Sequence, residues 1–300
     1  MDLNSANLNA IFTGYQTKFQ EGLSSIGETS QIYKLTCTVI PSTKSTEVYT
    51  FLGSLANLRE WIGDRIVHGL EAGQFSIKNR KFELTHGISR DAVDDDSYGL
   101  YGPIFKEQGR STSAHPNQLM VEVLEDNPLC YDGQPLFDAD HLVLDKDGQE
   151  VSVSNDMGGT GDAWYVMDLS RALHPVIFQN RRNYGFRALT DLNSDRVFMT
   201  DDFLFGVDAR VNAGPGLWQL IVRSKQPLTA ANYEAARKRL TALKGDHGRP
   251  LGLMHTHTMV PSTMEGAARI VLKNQKDAAG ATNPWADTSQ LIMNPWLTAA

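Results

Sequence analysis

Residues 5–23 place Leu8, Ile11, Phe12, Tyr15, Phe19 and Leu23 at spacings of three and four, the pattern of an amphipathic helix. Asn4 or Ser5 can cap its first turn. A stripe of large apolar side chains must leave water, so this helix is buried either in its own domain or against a neighbouring subunit. The segment that follows is of another kind. Residues 24–50 are dominated by Ser, Thr and Gly, with Pro41 inside and a short strand candidate at Tyr33–Ile40. An extended arm of this composition costs ordering entropy and gains little burial, so a partner surface is expected to hold it. On that reading the stripe of Leu8, Ile11, Phe12, Tyr15 and Phe19 sits in an inter-subunit groove.

A short helix is expected at 54–62, with Leu55, Leu58, Trp61 and Ile62 buried near the root of what comes next and Arg59, Glu60, Asp64 and Arg65 available for ion pairs. Next, Phe75 and Ile77 alternate with polar residues, as do Phe82, Leu84 and Ile88, and Asn79–Arg80 lies between the two runs. The alternation predicts a β-hairpin with its turn at Asn79, hinged by Gly69, Gly73 and Gly87. Its apolar face (Phe75, Ile77, Phe82 and Leu84) needs a cover, and its basic tip (Lys78, Arg80 and Lys81) then meets a carboxylate of the covering neighbour. Residues 98–127 predict a long helix, starting near Pro103, with Ile104, Phe105, Leu119, Met120, Val123 and Leu124 as apolar positions. Pro116 is expected to kink or interrupt it.

Gly and Asp dominate 129–163. Strands are expected at 164–169, 176–179, Val197–Met199, Phe203–Phe205 and Trp218–Val222, and helices at 229–244 and 263–274, the latter opened by a Ser262/Glu265 capping box. Asn283-Pro284-Trp285 recurs as Asn294-Pro295-Trp296 around an edge strand at 290–293. The class is α+β.

Chemistry is hard to find in this chain. His255 and His257 share a face if extended, but a zinc site needs further ligands. Asp138, Asp140 and His141 lack the glycine and distal glutamate of a calcium loop, and read as an Asp-rich turn. Gly158-Gly159-Thr160-Gly161 belongs to no phosphate-binding motif. Arg181, Arg182 and Arg187 interleave with Tyr184 and Phe186, as in a base-stacking surface, yet Lys plus Arg is 28 against 35 Asp plus Glu, a net charge of −7. Cys37 and Cys130 are too few for a disulfide framework and read as reduced thiols. Neither a signal peptide nor an apolar run long enough to span a bilayer is present. No catalytic, cofactor or metal residue is assigned. The rival readings are a metal-dependent hydrolase, built if His141, His255 and His257 converge, and a nucleic-acid-binding module.

Several segments carry a resemblance: AIFTGYQTKFQEG at 10–22, LREWIGDR at 58–65, IKNRKFEL at 77–84, CYDGQPLFDADH at 130–141, WYVMDLSRALHPVIFQ at 164–179 and ANYEAARKRL at 231–240, leading into GRPLGL at 248–253. In this order the chain resembles the major head subunit of Mu-like phages and prophages. The resemblance implies the tailed-phage major capsid (HK97-like) fold: an N-terminal arm at 1–50, a short helix and extended hairpin loop at 51–97, and the spine helix of a peripheral domain at 98–128. Segments at 129–225 are divided between peripheral and axial domains, and 226–300 is mainly axial with a C-terminal return. His255 stands where the family usually has a proline-containing turn, which argues against a special role for His255 and His257. The implied function is a structural one, self-assembly as pentamers and hexamers into an icosahedral head shell enclosing double-stranded DNA. The DNA is contacted weakly and non-specifically. Implied partners are a scaffold, a maturation protease, a portal protein and a cementing protein, and no membrane. The implied location is the virion, after assembly in the bacterial host cytoplasm.

Overall fold

The computed structural model describes residues 5–25, 31–49, 75–95, 99–276 and 279–298. Helix α1 (Ser5–Ser25) is followed by a single-turn helix, α2 (Ile32–Thr36), which runs directly into β1 (Cys37–Pro41), and then β2 (Thr46–Tyr49). Strands β3 (Phe75–Lys78) and β4 (Arg80–Ser89) lead through α3 (Arg90–Asp94) into the long helix α4 (Tyr101–Asp126). Short strands β5 (His141–Leu144), β6 (Glu150–Val153), β7 (Asp156–Gly159) and β8 (Trp164–Met167) precede β9 (Val176–Leu189). Helix α5 (Asp195–Thr200) turns the chain into β10 (Asp202–Pro215). Then come β11 (Ile221–Lys225), α6 (Ala230–Ala242), β12 (His257–Pro261), α7 (Glu265–Leu272) and β13 (Gln290–Asn294).

Two sheets organise the chain. One has the strand order β1-β9-β10-β4, the other β13-β12-β8-β11-β7, and β2-β3 and β5-β6 form separate two-stranded ribbons. The larger core surrounds the five-stranded sheet and includes Trp164, Tyr165, Trp218, Tyr233, Leu240, Met259 and Leu272. A smaller one gathers Leu8, Tyr15, Ile88, Val93, Phe105, Val197, Phe203 and Phe205. Helix α4 serves both, with Phe105 in the smaller core and Leu119, Met120, Val123 and Leu124 in the larger. At 26 residues it is about 39 Å long. The antiparallel ribbon of β9 and β10, 14 residues each, spans about 46 Å and also reaches both cores.

Helix α4 forms where the periodicity predicts. Pro103 falls in its first turn, where no intrahelical N–H is needed. Pro116 neither ends nor splits it, and is buried within one continuous helix. Asn117 beside it accepts the Tyr33 backbone N–H at 2.8 Å, tying α2 to α4. Asn127, left-handed at φ 51°, terminates the helix. Its side chain pairs with both backbone groups of Phe137, at 2.7 and 3.0 Å, and so fixes the loop that follows.

Several expectations are corrected. The 24–50 region is not a free arm where it is described. Tyr33–Thr36 is helical, β1 pairs in parallel with β9, and β2 pairs with β3. Leu8, Tyr15 and Phe19 of the α1 stripe are covered within the chain itself, while Ile11 and Phe12 stay half-buried. Tyr15 packs on Phe105 at a centroid distance of 4.6 Å, and Phe19 on Phe186 at 5.0 Å. Val197–Met199 lies in α5, capped by Ser194, and not in a strand. Trp218–Leu220 is a 3-10 turn before β11. No side-chain cap forms at the start of α7, where Glu265 pairs with Arg269 instead. The expected helix at 54–62, with Trp61, lies outside the described residues.

Candidate assembly surfaces

The expected hairpin at 75–88 is the largest correction. β3 and β4 do not pair with each other. β3 pairs with β2, Tyr49 opposite Phe75 and Thr46 opposite Lys78, while β4 pairs with β10 over Arg80–Ser89. Asn79 is therefore a junction between two sheets and no tip, with only 5% of its surface exposed. Its amide donates to Ser42 Oγ at 2.7 Å and to the Lys44 carbonyl at 3.0 Å, and its Oδ1 accepts from Gln179 at 3.1 Å. Gln179 also donates to the Ile77 carbonyl and accepts from the Tyr49 hydroxyl at 2.6 Å. Burial pushes the Tyr49 phenol up, so it stays a neutral donor. This satisfied polar node fixes the root of the β2-β3 ribbon, whose two strands are joined by residues 50–74.

The candidate residues fall on both sides of the surface. Leu8, Tyr15, Phe19 and Ile77 are interior, and Ile11, Phe12, Phe75 and Phe82 half-buried. Ile77 packs against β10 where Gly214 leaves no room for a side chain. Leu84, Lys78 and Lys81 are exposed. Arg80 finds its carboxylate within its own chain, Glu122 of α4 at 2.5 Å, and lies over the Phe82 ring at 5.0 Å.

The other constellations are structural. Burial, reinforced by Arg237, lowers the His255 pKa to about 4. Its ring hydrogen-bonds to Tyr233 Oη at 3.2 Å and Thr258 Oγ1 at 3.0 Å. His257 reaches Gln290 at 3.0 Å. His141 stacks on Trp218 at 3.9 Å and bonds Asp132 at 2.7 Å. Asp138 Oδ1 accepts the Asp140 N–H, the turn expected for an Asp-rich loop. Among the described residues no group of three or more His, Cys, Asp or Glu could hold a metal. Burial raises both thiols, Cys37 to about 12. Arg182 and Arg187 both pair with Asp208, Phe186 lies against the smaller core, and Tyr184 bonds His115 at 2.6 Å, so the aromatics do not interleave with the cations on one surface. No helix among the described residues is long and apolar enough to cross a membrane.

One exposed feature escaped the sequence reading. Phe198 and Met199, on the short α5 at the end of the β9-β10 ribbon, are 81% and 78% exposed. The signal was present in the apolar run at 197–199, but a strand reading hid it. In the folded chain only Val197 of the three points inward.

A profile of the Mu-like prophage major head subunit gpT family matches residues 8–297. The chain belongs to this family. It is 39% identical to the major capsid protein of Escherichia phage Mu, over 99% of this chain and all of that one. The subunit of the bacteriophage JBD30 procapsid superposes with a TM-score of 0.84 at 38% identity, covering 98% of this chain and 100% of that one. The subunit of the JBD30 capsid decorated with minor capsid protein trimers gives 0.76 at 29% identity, covering 89% and 91%. The fold is thus that of the tailed-phage major capsid proteins, and the chain is a structural head-shell subunit and no enzyme.

Proposed function

We propose that this subunit assembles, as pentamers and hexamers of one sequence, into an icosahedral shell around double-stranded DNA. The observation that carries the reading is the end-to-end match to the Mu major capsid protein together with the likeness to the JBD30 procapsid subunit. On this reading α4 is the spine helix, the β2-β3 ribbon is the described part of the extended loop that reaches a neighbouring subunit, and the five-stranded sheet with α6 and α7 is the axial domain. The polar node at Asn79 sets the direction in which that loop leaves. The net charge of −7 suits a container whose wall contacts its DNA weakly.

The likeness to the JBD30 procapsid subunit supports a precursor particle, and a scaffold, a maturation protease and a portal are the further partners of this proposal. The minor capsid trimers of JBD30 support a cementing partner. Assembly takes place in the host cytoplasm. Co-expression with the prophage's scaffold and protease, followed by sedimentation and electron microscopy, tests this: closed shells are expected, and a chain that stays at subunit mass would reject it.

A further inference from the structure

Three cations lie side by side across the four-stranded sheet. Arg210 of β10 is directly opposite Lys81 of β4 on one side and, at a bulge in the β9-β10 pairing, opposite Arg182 of β9 on the other, where Arg182 also reaches Asp208. Directly opposed residues share a face, and like charges so placed destabilise a sheet. The face is the outer one: alternate β10 residues at 203, 205, 207, 209 and 211 are buried, while Asp208 and Arg210 are part-exposed, Lys81 is exposed, and the Arg182 side chain is 49% exposed. Arg182 is partly neutralised by Asp208. Among the described residues Lys81 and Arg210 have no ion-pair partner. A row held together at a cost to the sheet calls for an anionic occupant.

The same sheet carries the complementary surface at its far end. Around Phe198 and Met199, the carboxylates Asp91, Asp95, Asp191, Asp195, Asp201 and Asp202 outnumber the cations Arg90 and Arg196. Ser89 pairs with Asp202, so α3 and α5 sit at one end of the ribbon. From Asp202 to Arg210 is eight residues of strand, about 27 Å, so the tip cannot reach the row of its own chain.

We propose that the acidic, apolar tip at α5 of one subunit docks on the Lys81–Arg210–Arg182 row of another copy of this chain. This rests on the shell-forming reading above. A contact between two different patches of one subunit repeats from copy to copy and forms a ring where the rotation between copies closes, the kind of contact a shell is built from. The exposed Phe198 and Met199 beside the carboxylates of the tip make the match one to a protein rather than to nucleic acid, and Glu83 opposite Asp208 on the neighbouring rank of the sheet confines the anionic contact to the row itself. A partner with both apolar and charged groups is accommodated, and rim charges of this type fix register.

The test uses the full chain, co-expressed as above. Lys81→Glu with Arg210→Glu reverses the row. Asp195→Lys with Asp202→Lys reverses the tip. Each pair alone is expected to lower the yield of closed particles roughly tenfold at low salt, and less at high salt. The two pairs combined are expected to restore the yield to within about a factor of two of the unaltered chain. The single change Lys81→Glu, at an exposed position, keeps the test valid if the row pair fails to fold, and circular dichroism of the free subunit reports folding. Unchanged yield for every variant overturns the contact, and so does a combined variant no better than either pair. A DNA gel shift by the free subunit that disappears in Lys81→Glu would reassign the row to nucleic acid. If the unaltered chain forms no particles, the shell-forming reading fails, independently of this contact.

Discussion

Gly22 of α1 and Gly109 of α4 bring two helix backbones into direct contact: a Cβ on Gly22 would overlap the Lys106 carbonyl, and one on Gly109 the Phe19 carbonyl. The helices run in the same direction, since Tyr15 meets Tyr101, Lys18 lies beside Gly102, Glu21 pairs with Lys106 and Leu23 abuts Gly109. This contact seats Tyr15 in the smaller core and buries Phe19 against Phe186 beside it. Gly109→Leu is therefore expected to push α1 away and cost the subunit about 1–3 kcal/mol through overpacking. Thermal unfolding of the free subunit checks it, and an unchanged midpoint would contradict the packing. The same geometry implies that deleting residues 1–23 exposes Phe105, Phe186 and Phe205 and destabilises the subunit itself.

Asn79 separates the two readings of the 75–88 region. A hairpin-tip Asn in solvent tolerates Asn79→Ala with little loss. The buried junction does not, because Gln179, Ser42 and the Lys44 carbonyl lose their partner, and a loss of about 2 kcal/mol is expected in denaturant unfolding. Arg80→Ala, which breaks an exposed pair with Glu122, is expected to cost less than about 1 kcal/mol.

The buried His255 makes stability depend on pH. Desolvation first, and then Arg237, hold its folded pKa near 4, below the ordinary 6.5. The unfolded chain takes up this proton and the folded chain resists it, so stability is full above about pH 6.5 and declines as pH falls toward 4, by up to about 1.4 kcal/mol per pH unit for this group. His115, His174 and His257 are shifted the same way by burial and steepen the slope. Urea unfolding between pH 4 and 7 is expected to show a shallower dependence for His255→Gln. An identical slope would mean that His255 takes up its proton in the folded state.

The two Asn-Pro-Trp repeats do the same local work. Asn283 Oδ1 accepts the Trp285 N–H at 3.0 Å, and Asn294 Oδ1 the Trp296 N–H at 3.1 Å. Asn283 also donates to the Val271 and Asn274 carbonyls at 2.9 and 2.8 Å, closing the end of α7. Asn283→Ala, which leaves the buried Val271 carbonyl without this donor and frees the loop after α7, is expected to cost about 2 kcal/mol in denaturant unfolding. A loss below about 0.5 kcal/mol would show that the repeat is not a cap.

What was legible in the sequence follows the range of the interaction that decides it. Helices α4 and α6 and strand β8 read directly, because their apolar periodicity or continuous apolar run is a property of neighbouring residues. The alternation of Phe75, Ile77, Phe82 and Leu84 was real, but alternation says only that a strand has two faces. It carries no information on the partner, and the partners here are residues 46–49 and 202–211. Residues 197–199 misled for a related reason: Ser194 as a cap and a six-residue helix leave only Val197 inside, too short a pattern for a period to show. Gln179 meets Asn79 and Tyr49, and Arg210 meets Lys81, across separations of 100 residues or more, and nothing local announces these contacts.

The head-shell account is tested most directly by a cryo-electron reconstruction of particles formed by the full chain co-expressed with its prophage scaffold and protease. The account predicts a closed icosahedral shell in which every subunit keeps α4 alongside the β9-β10 ribbon, with the loop that the β2-β3 ribbon carries reaching an adjacent subunit. Particles that are tubes or open sheets, or a shell in which the β2-β3 ribbon and its loop touch no neighbour, would contradict it.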